Sequence, residues 1–397
     1  MCFFSNTLFA QYGYFSLPEG RKKVFMRFSN FDNLVVVDVT LNDTIPVRLL
    51  LDTGVEGIII TDMSIVSLFE NKCIRNFKLT APGTNDELEA CISSPVKINM
   101  GKLNPVFTNL ILLNQDYFSL DEYIGSKVHG LISMSKFRNL AVTTDYDQNK
   151  LKFQSPERYH PPFRSEIIPI SIFNGKPHMT ARVELDNGDI SDYWLMIDSG
   201  ANHPLLLEMD SLSDYKPKKS IDAIIGRGLG GNLQGSFARV GWLMLGNFRL
   251  DDVITSFAEN YTSEIISLKL NRDGTLGSGA LGRFKVTFDY LNNRMILEKG
   301  SKFRAPFEYN MSGMSFRSFG FGFNLFEVSE VIPASPAEDA GLQVGDVILS
   351  LDGKSTFLLS LGELNRILSE KEGNIVTMVV LRDGKELDFR LKLRKII

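Results

Sequence analysis

The stretch Leu49 to Ile60, LLLDTGVEGIII, has a near-copy at Tyr193 to Leu207, YWLMIDSGANHPLLL, and this repetition constrains the fold more than any other feature. In both, an aspartate stands between two apolar runs that read as buried strands. A carboxylate in such surroundings is costly unless it is hydrogen-bonded, paired or chemically used. The repetition extends further. LAVTTDYDQNKLKF (Leu140–Phe153) and FKVTFDYLNNRMILEK (Phe284–Lys299) are also alike, and their Asp-Tyr pairs follow Asp52 and Asp198 by 94 and 92 residues. One order of elements at nearly one period argues for a duplicated unit.

The segments between these landmarks are short, rich in Val, Ile, Leu, Thr and Phe, and broken by Asn, Asp, Gly and Pro. VFMRF, NLVVVDVTL, GIIIT, PVKINMG and KLKFQ are examples. That pattern predicts a mainly β chain of many short strands. A polar, proline-containing break at Ser155–Ser165, SPERYHPPFRS, reads as the link between halves. From about Gly300 the pattern becomes strand, turn, short helix, strand, Asp-Gly turn. A helix at SLGELNRILSEKEG follows, with Leu361, Leu364, Ile367 and Leu368 on one face and Gly373 as its stop. The expected division is a leader or disordered terminus at 1–22, two duplicated β-barrel lobes at 23–157 and 158–300, and a small α+β module at 301–397.

The Asp-Thr-Gly at Asp52–Gly54 and the Asp-Ser-Gly at Asp198–Gly200 are the constellation with chemistry in it. Two carboxylates brought within a few Å cannot both be charged, so they share one proton. One then activates a water while the other protonates a carbonyl, and the pair titrates as a unit. Thr53 and Ser199 offer hydroxyls to fix the two loops, and Gly54 and Gly200 allow close backbone approach. These residues resemble the pepsin/retropepsin-type aspartic proteases in their single-chain, two-lobed form. VHGLIS (Val128–Ser133) and GSGALGRF (Gly277–Phe284) match the apolar-apolar-glycine elements that brace the active-site loops of that family. The resemblance implies catalysis by Asp52 and Asp198, and flaps closing over an extended peptide. The flap candidates are Pro82–Pro95 and Gly226–Gly235, the latter with Gly228, Gly230 and Gly231. Val55 and Ala201 depart from the Ser or Thr usual in pepsins, and the first flap candidate has no tyrosine.

SPAEDAGLQVGDVILSLDGKS strongly resembles the PDZ domains attached to bacterial proteases. Such domains add a C-terminal tail as a strand and hold its carboxylate on backbone N–H groups of a glycine-containing loop. Ser312, Gly313 and Met314 are the preferred candidates for that loop, and Phe319–Gly322 is the other. The reading is therefore an aspartic-type endopeptidase with a tail-binding or regulatory module. Its alternative is a scaffold of the same fold that binds extended chains without cutting.

Other classes are less well served. AIIGRGLGGNLQGSF contains G-x-G-x-x-G at Gly226, Gly228 and Gly231, but a dinucleotide site needs a helix next, and the sequence continues in strands. A net charge of −4 gives no pull toward nucleic acid. Four scattered histidines give no metal-ligand spacing, and no cofactor is implied. No apolar run is long enough to span a bilayer. Cys73 and Cys91 read more readily as two buried free thiols than as a disulfide. The opening MCFFSNTLFAQYGYF looks like the end of a secretory signal, so export to a periplasm or cell envelope is expected, with the cytoplasm as the other choice.

Overall fold

The computed structural model describes residues 13–79, 88–117, 119–212, 215–228, 231–258 and 272–397. Its first half is built on a ten-stranded sheet and its second on an eight-stranded one. The two halves meet in a six-stranded sheet, and the C-terminal region forms a further six-stranded sheet of its own. The chain is thus mainly β, as its short alternating segments predict.

The two aspartate strands show how sequence becomes position. Strand Ile45–Asp52 carries Leu49, Leu50 and Leu51 at no more than 2% exposure, so both of its faces are covered. An uninterrupted apolar run is what a strand flanked on both faces requires. It runs parallel to Gly130–Ser133, in a register that puts Ser133 opposite Asp52. Gly130–Ser133 in turn pairs antiparallel with Ile58–Ile60. The second half repeats this arrangement: strand Ile190–Asp198 is parallel to Gly274–Gly277, with Gly277 opposite Asp198. Leu205–Glu208 is the antiparallel partner there. Gly130, at φ +155°, and Gly274 both sit where a Cβ would strike a neighbouring strand's carbonyl oxygen, that of Ile59 or Leu206.

The six-stranded sheet joins the halves symmetrically. Ala141–Asp145 pairs antiparallel with Phe284–Asp289, and Thr143 lies opposite Thr287. The two buried hydroxyls hydrogen-bond each other at 2.8 Å. Tyr159, from the proline-containing break, packs with Ala141 and Ile296 in a small buried cluster. The break is therefore anchored, because its aromatic ring contributes burial that a free linker would lose.

Several expectations change on contact with the structure. Cys73 and Cys91 form a disulfide, with Cα atoms 5.9 Å apart, rather than two free thiols. Their strands, Cys73–Leu79 and Leu88–Ser93, are neighbours in an antiparallel ladder, which brings the two within bonding reach. The helix Leu361–Leu368 ends on Ser369, four residues before Gly373. The glycine-rich stretch forms an antiparallel ladder, Ile221–Gly228 with Gly231–Leu245, so strands and not a helix follow the glycines.

Lys136 is a buried cation, 2% exposed, donating from Nζ to Thr108 Oγ1 at 2.8 Å. Burial pushes its pKa down to about 8. A depressed ammonium carries a penalty below that pH, and the penalty is relieved as pH rises toward the unfolded value. Lys136→Met is expected to stabilise the protein by on the order of 1–3 kcal/mol at pH 6–7, with the gain shrinking by pH 10. Thermal unfolding across pH checks this, and a variant less stable at every pH refutes it.

Candidate functional site

Asp52 and Asp198 are brought together at the junction of the two halves. Asp52 is 5% exposed, whereas Asp198 retains partial access to solvent. The carboxyl of Asp198 lies against Gly54, where a Cβ would come within 2.7 Å of Oδ2, and the carboxyl of Asp52 lies as closely against Gly200. Here the glycines are a steric requirement, since any side chain would occupy the space of the opposite carboxyl group. Each carboxyl accepts from the N–H two residues on: Gly54 N to Asp52 Oδ1 at 2.5 Å and Gly200 N to Asp198 Oδ1 at 2.9 Å.

Behind the carboxyl groups, Thr53 and Ser199 lock the loops reciprocally. Thr53 N donates to Ser199 Oγ at 3.2 Å, and Ser199 N to Thr53 Oγ1 at 2.8 Å. The hydroxyls pass their own protons to main-chain carbonyls: Thr53 Oγ1 to Ile197 O at 2.7 Å and Ser199 Oγ to Leu51 O at 3.1 Å. Four buried hydrogen bonds thus cross between residues some 146 positions apart. Ser133 braces the first loop from the side, donating from Oγ to Val55 O at 2.7 Å.

Burial, and then the adjacent Asp198 carboxyl, push the Asp52 carboxyl well above the usual carboxylate range. The two carboxyl groups lie side by side, each against the glycine of the opposite loop, so that a neutral Asp52 can donate where Asp198 offers acceptor oxygens. Such a pair presents one donor and one acceptor at a single spot. Sequence reasoning missed three neighbours. Lys176 is close enough to oppose the rise in Asp52, and the buried Tyr290 feels the Asp52 charge. Nε2 of His203 is sealed from solvent with no hydrogen-bond partner, and burial pushes the ring's pKa down to about 4. The available signal for His203 was its offset: it follows Asp198 by five residues, where the first half has Gly57 after Asp52.

The flap candidates are only partly within view. Pro82–Glu87, Leu229 and Gly230 lie outside the described residues, as does Met1–Tyr12 of the expected leader. Gly228 stands opposite Gly231 at the end of the Ile221–Gly228 ladder.

The C-terminal module has its own candidate site. Strand Met314–Phe319 is at the edge of its sheet and pairs on one side only, with Leu325–Val331. The helix Leu361–Leu368 starts in a capping box made by Ser360 and Glu363 and buries Leu361, Leu364 and Leu368 in the module's core. Its last turn is tied to the start of the edge strand, because Met311 N donates to Leu368 O at 2.9 Å. Ser312, Gly313 and Met314 lead directly into that strand and are themselves buried. Gly313, at φ +78°, packs against the Ser335 side chain. The other candidate loop, Phe319–Gly322, is the exposed turn between the edge strand and its partner. Asp346, 1% exposed, is paired bidentately with Arg382, both oxygens at 2.6 Å, and also accepts from Gln343 N.

A family model described as a PDZ domain matches residues 327–382, so the C-terminal module is a PDZ domain. Three curated relatives show the company it keeps. The serine endoprotease DegS of Escherichia coli (strain K12) is 34% identical over 68 residues, 17% of this chain and 19% of its own length. The periplasmic pH-dependent serine endoprotease DegQ of the same strain is 43% identical over 67 residues, 17% and 14% of the two chains. A putative zinc metalloprotease of Mesorhizobium japonicum is 43% identical over 60 residues, 15% and 16%. The chain therefore spans under a fifth of the length of the relatives it matches, a stretch the size of the PDZ domain.

These names overturn the aspartic-type endopeptidase expected from the sequence. These three relatives are named as serine and zinc peptidases, and the pepsin-like and retropepsin-like description is withdrawn. Paired Asp-Thr-Gly and Asp-Ser-Gly motifs dictate where two carboxyl groups meet; a catalytic type demands more than that. Among the described residues no histidine is hydrogen-bonded to a serine hydroxyl, and no group of three or more His, Cys, Asp or Glu is placed to hold a metal. The relatives' own catalytic types thus stay with the relatives.

Two outcomes follow from the geometry. An acid whose pKa is raised by folding contributes stability below its unfolded value and loses it as pH climbs. Asp52→Asn should therefore match the wild type near pH 4 and exceed it in melting temperature above pH 6; a lower melting temperature at all pH values counts against the raised Asp52 carboxyl. Thr53→Ala orphans the buried Ser199 N–H and should cost about 1–3 kcal/mol in denaturant unfolding. Ser199→Ala should cost as much, and the double variant less than the sum.

Proposed function

We propose that this chain is a polypeptide-binding protein of the peptidase class, with a PDZ domain that takes an extended C-terminal tail. The observation that carries the reading is the PDZ domain itself, with an edge strand paired on one side and a helix alongside to frame the added strand. Peptidase is the class that the names of the relatives share. Ser312, Gly313 and Met314 are the tail-carboxylate loop in this proposal, since they lead into the edge strand.

We further read residues 23–157 and 158–300 as a duplicated pair of β lobes, on the strength of their matching strand orders and registers. The polar centre of that pair is Asp52 and Asp198, supported by Thr53, Gly54, Ser199 and Gly200. One donor beside one acceptor is the pattern that complements a backbone amide, and so suits a bound polypeptide. The hairpin of Gly228 and Gly231 stands as the candidate cover. Export fits the Cys73–Cys91 disulfide, which persists in oxidising compartments, and the periplasmic naming of a relative. No helix among the described residues is long and apolar enough to cross a membrane.

The test has two arms on the full chain. Fluorescence anisotropy with labelled peptides ending in an apolar carboxylate residue should show saturable binding, abolished by amidating the C-terminus. Hydrolysis of a denatured protein should be measured with a fluorophosphonate, with a chelator, and in Asp52→Asn. Inhibition by either reagent assigns a serine or metal mechanism, and loss only in the variant assigns the step to the carboxyl pair. The absence of both binding and hydrolysis overturns the proposal.

A further inference from the structure

The groove between the PDZ edge strand and its helix is not open along its length. At its inner end Met311 and Leu368 join strand to helix. At its outer end the gap is spanned by a piece of the first half, the short helix Leu120–Ile124 and its cap Gly125. Ser318 Oγ, on the edge strand, donates to the Glu122 carbonyl at 2.6 Å, and Ser318 is fully buried. Gly125 sits between the two walls: a Cβ there would lie 2.9 Å from Leu361 Cβ and 3.5 Å from Ser318 Oγ. A second contact from the first half reinforces the first. The Asp32 carboxylate approaches Gly362 in the first turn of the groove helix, where a Cβ would lie 3.2 Å from its Oδ1.

We propose that segment 120–125 plugs the outer end of the tail groove, so that the groove as it stands takes a short C-terminal tail and admits a longer one only by expelling this segment. The inference rests on the tail-binding reading above. An added strand advances about 3.3 Å per residue. Ser318 is four residues along the strand from Met314, so a tail anchored at Ser312–Met314 meets the Glu122 carbonyl after about four residues. Expulsion has a cost set by the first half, because Leu120 and Ile124 are buried with Leu34, Val36 and Leu50, and Leu50 is two residues from Asp52. A long tail must therefore loosen packing next to the aspartate strand, whereas a short one leaves it intact.

A reversible lock tests this. In the Gly125→Cys/Leu361→Cys full chain, oxidation should bridge plug and helix, and a reductant should release them, with the wild type treated identically as control. Labelled peptides of three and ten residues with one common apolar C-terminus are titrated against each form. The three-residue peptide should bind both forms equally, and the ten-residue peptide should weaken at least tenfold in the oxidised form and recover on reduction. In Ser318→Ala, which removes one hydrogen bond holding the plug, the ten-residue peptide should bind about fivefold tighter. Equal binding of the long peptide to both redox forms, or failure of the two thiols to cross-link, overturns the plug. If neither peptide binds the reduced protein, tail binding itself fails and the plug falls with it.

Discussion

The reciprocal hydrogen bonds between Thr53 and Ser199 are what the centre of this protein depends on. Each residue donates its N–H to the other's hydroxyl, and each hydroxyl donates onward to a main-chain carbonyl across the junction. No donor at this buried crossing is left without an acceptor, which is the condition under which a polar core stabilises instead of costing. The bonds also fix two loops relative to each other, and so fix the carboxyl groups next to them. With the loops held, each carboxyl lies against the glycine of the opposite loop, and burial together with the nearby Asp198 carboxyl raises the pKa of Asp52. Thr143 and Thr287 repeat the device in the sheet that joins the halves.

The same economy shapes the C-terminal module. It is a PDZ domain with its own core, yet it is docked on both halves of the rest of the chain. Ser318 meets Glu122, and Glu330 accepts from the N–H of Ile224 in the glycine-rich ladder. An edge strand normally has to be protected from adventitious pairing. Here part of the protection comes from another region of the chain, which makes the module's accessibility a property of the whole molecule.

Much of the architecture was legible because burial on both faces leaves a simple trace. Runs such as LLL before Asp52 and WLMI before Asp198 read as strands covered on both sides, and their recurrence is matched by the same parallel pairing in each half. Ser335-Pro336-Ala337 and Gly345-Asp346 were equally readable, since a capped short helix and a tight turn are set by neighbours in sequence. What escaped was whatever depended on distance in space. The Cys73–Cys91 bond arises from ladder register, and the sealed His203 from packing around Asp198. The catalytic type inferred from paired motifs was corrected by the relatives, because a motif reports local geometry and does not by itself report a reaction.

The sequence by itself determined that two aspartates would sit at the ends of buried strands and that a small module would follow them. Periodicity, glycine spacing and turn residues act over a few positions and suffice for that. Only the tertiary structure decided that each carboxyl group lies against the opposite loop's glycine and that Leu120–Gly125 packs against the module's edge strand and helix. Both depend on contacts between segments more than a hundred residues apart, where the energy lies in desolvation and hydrogen-bond geometry that no local pattern encodes.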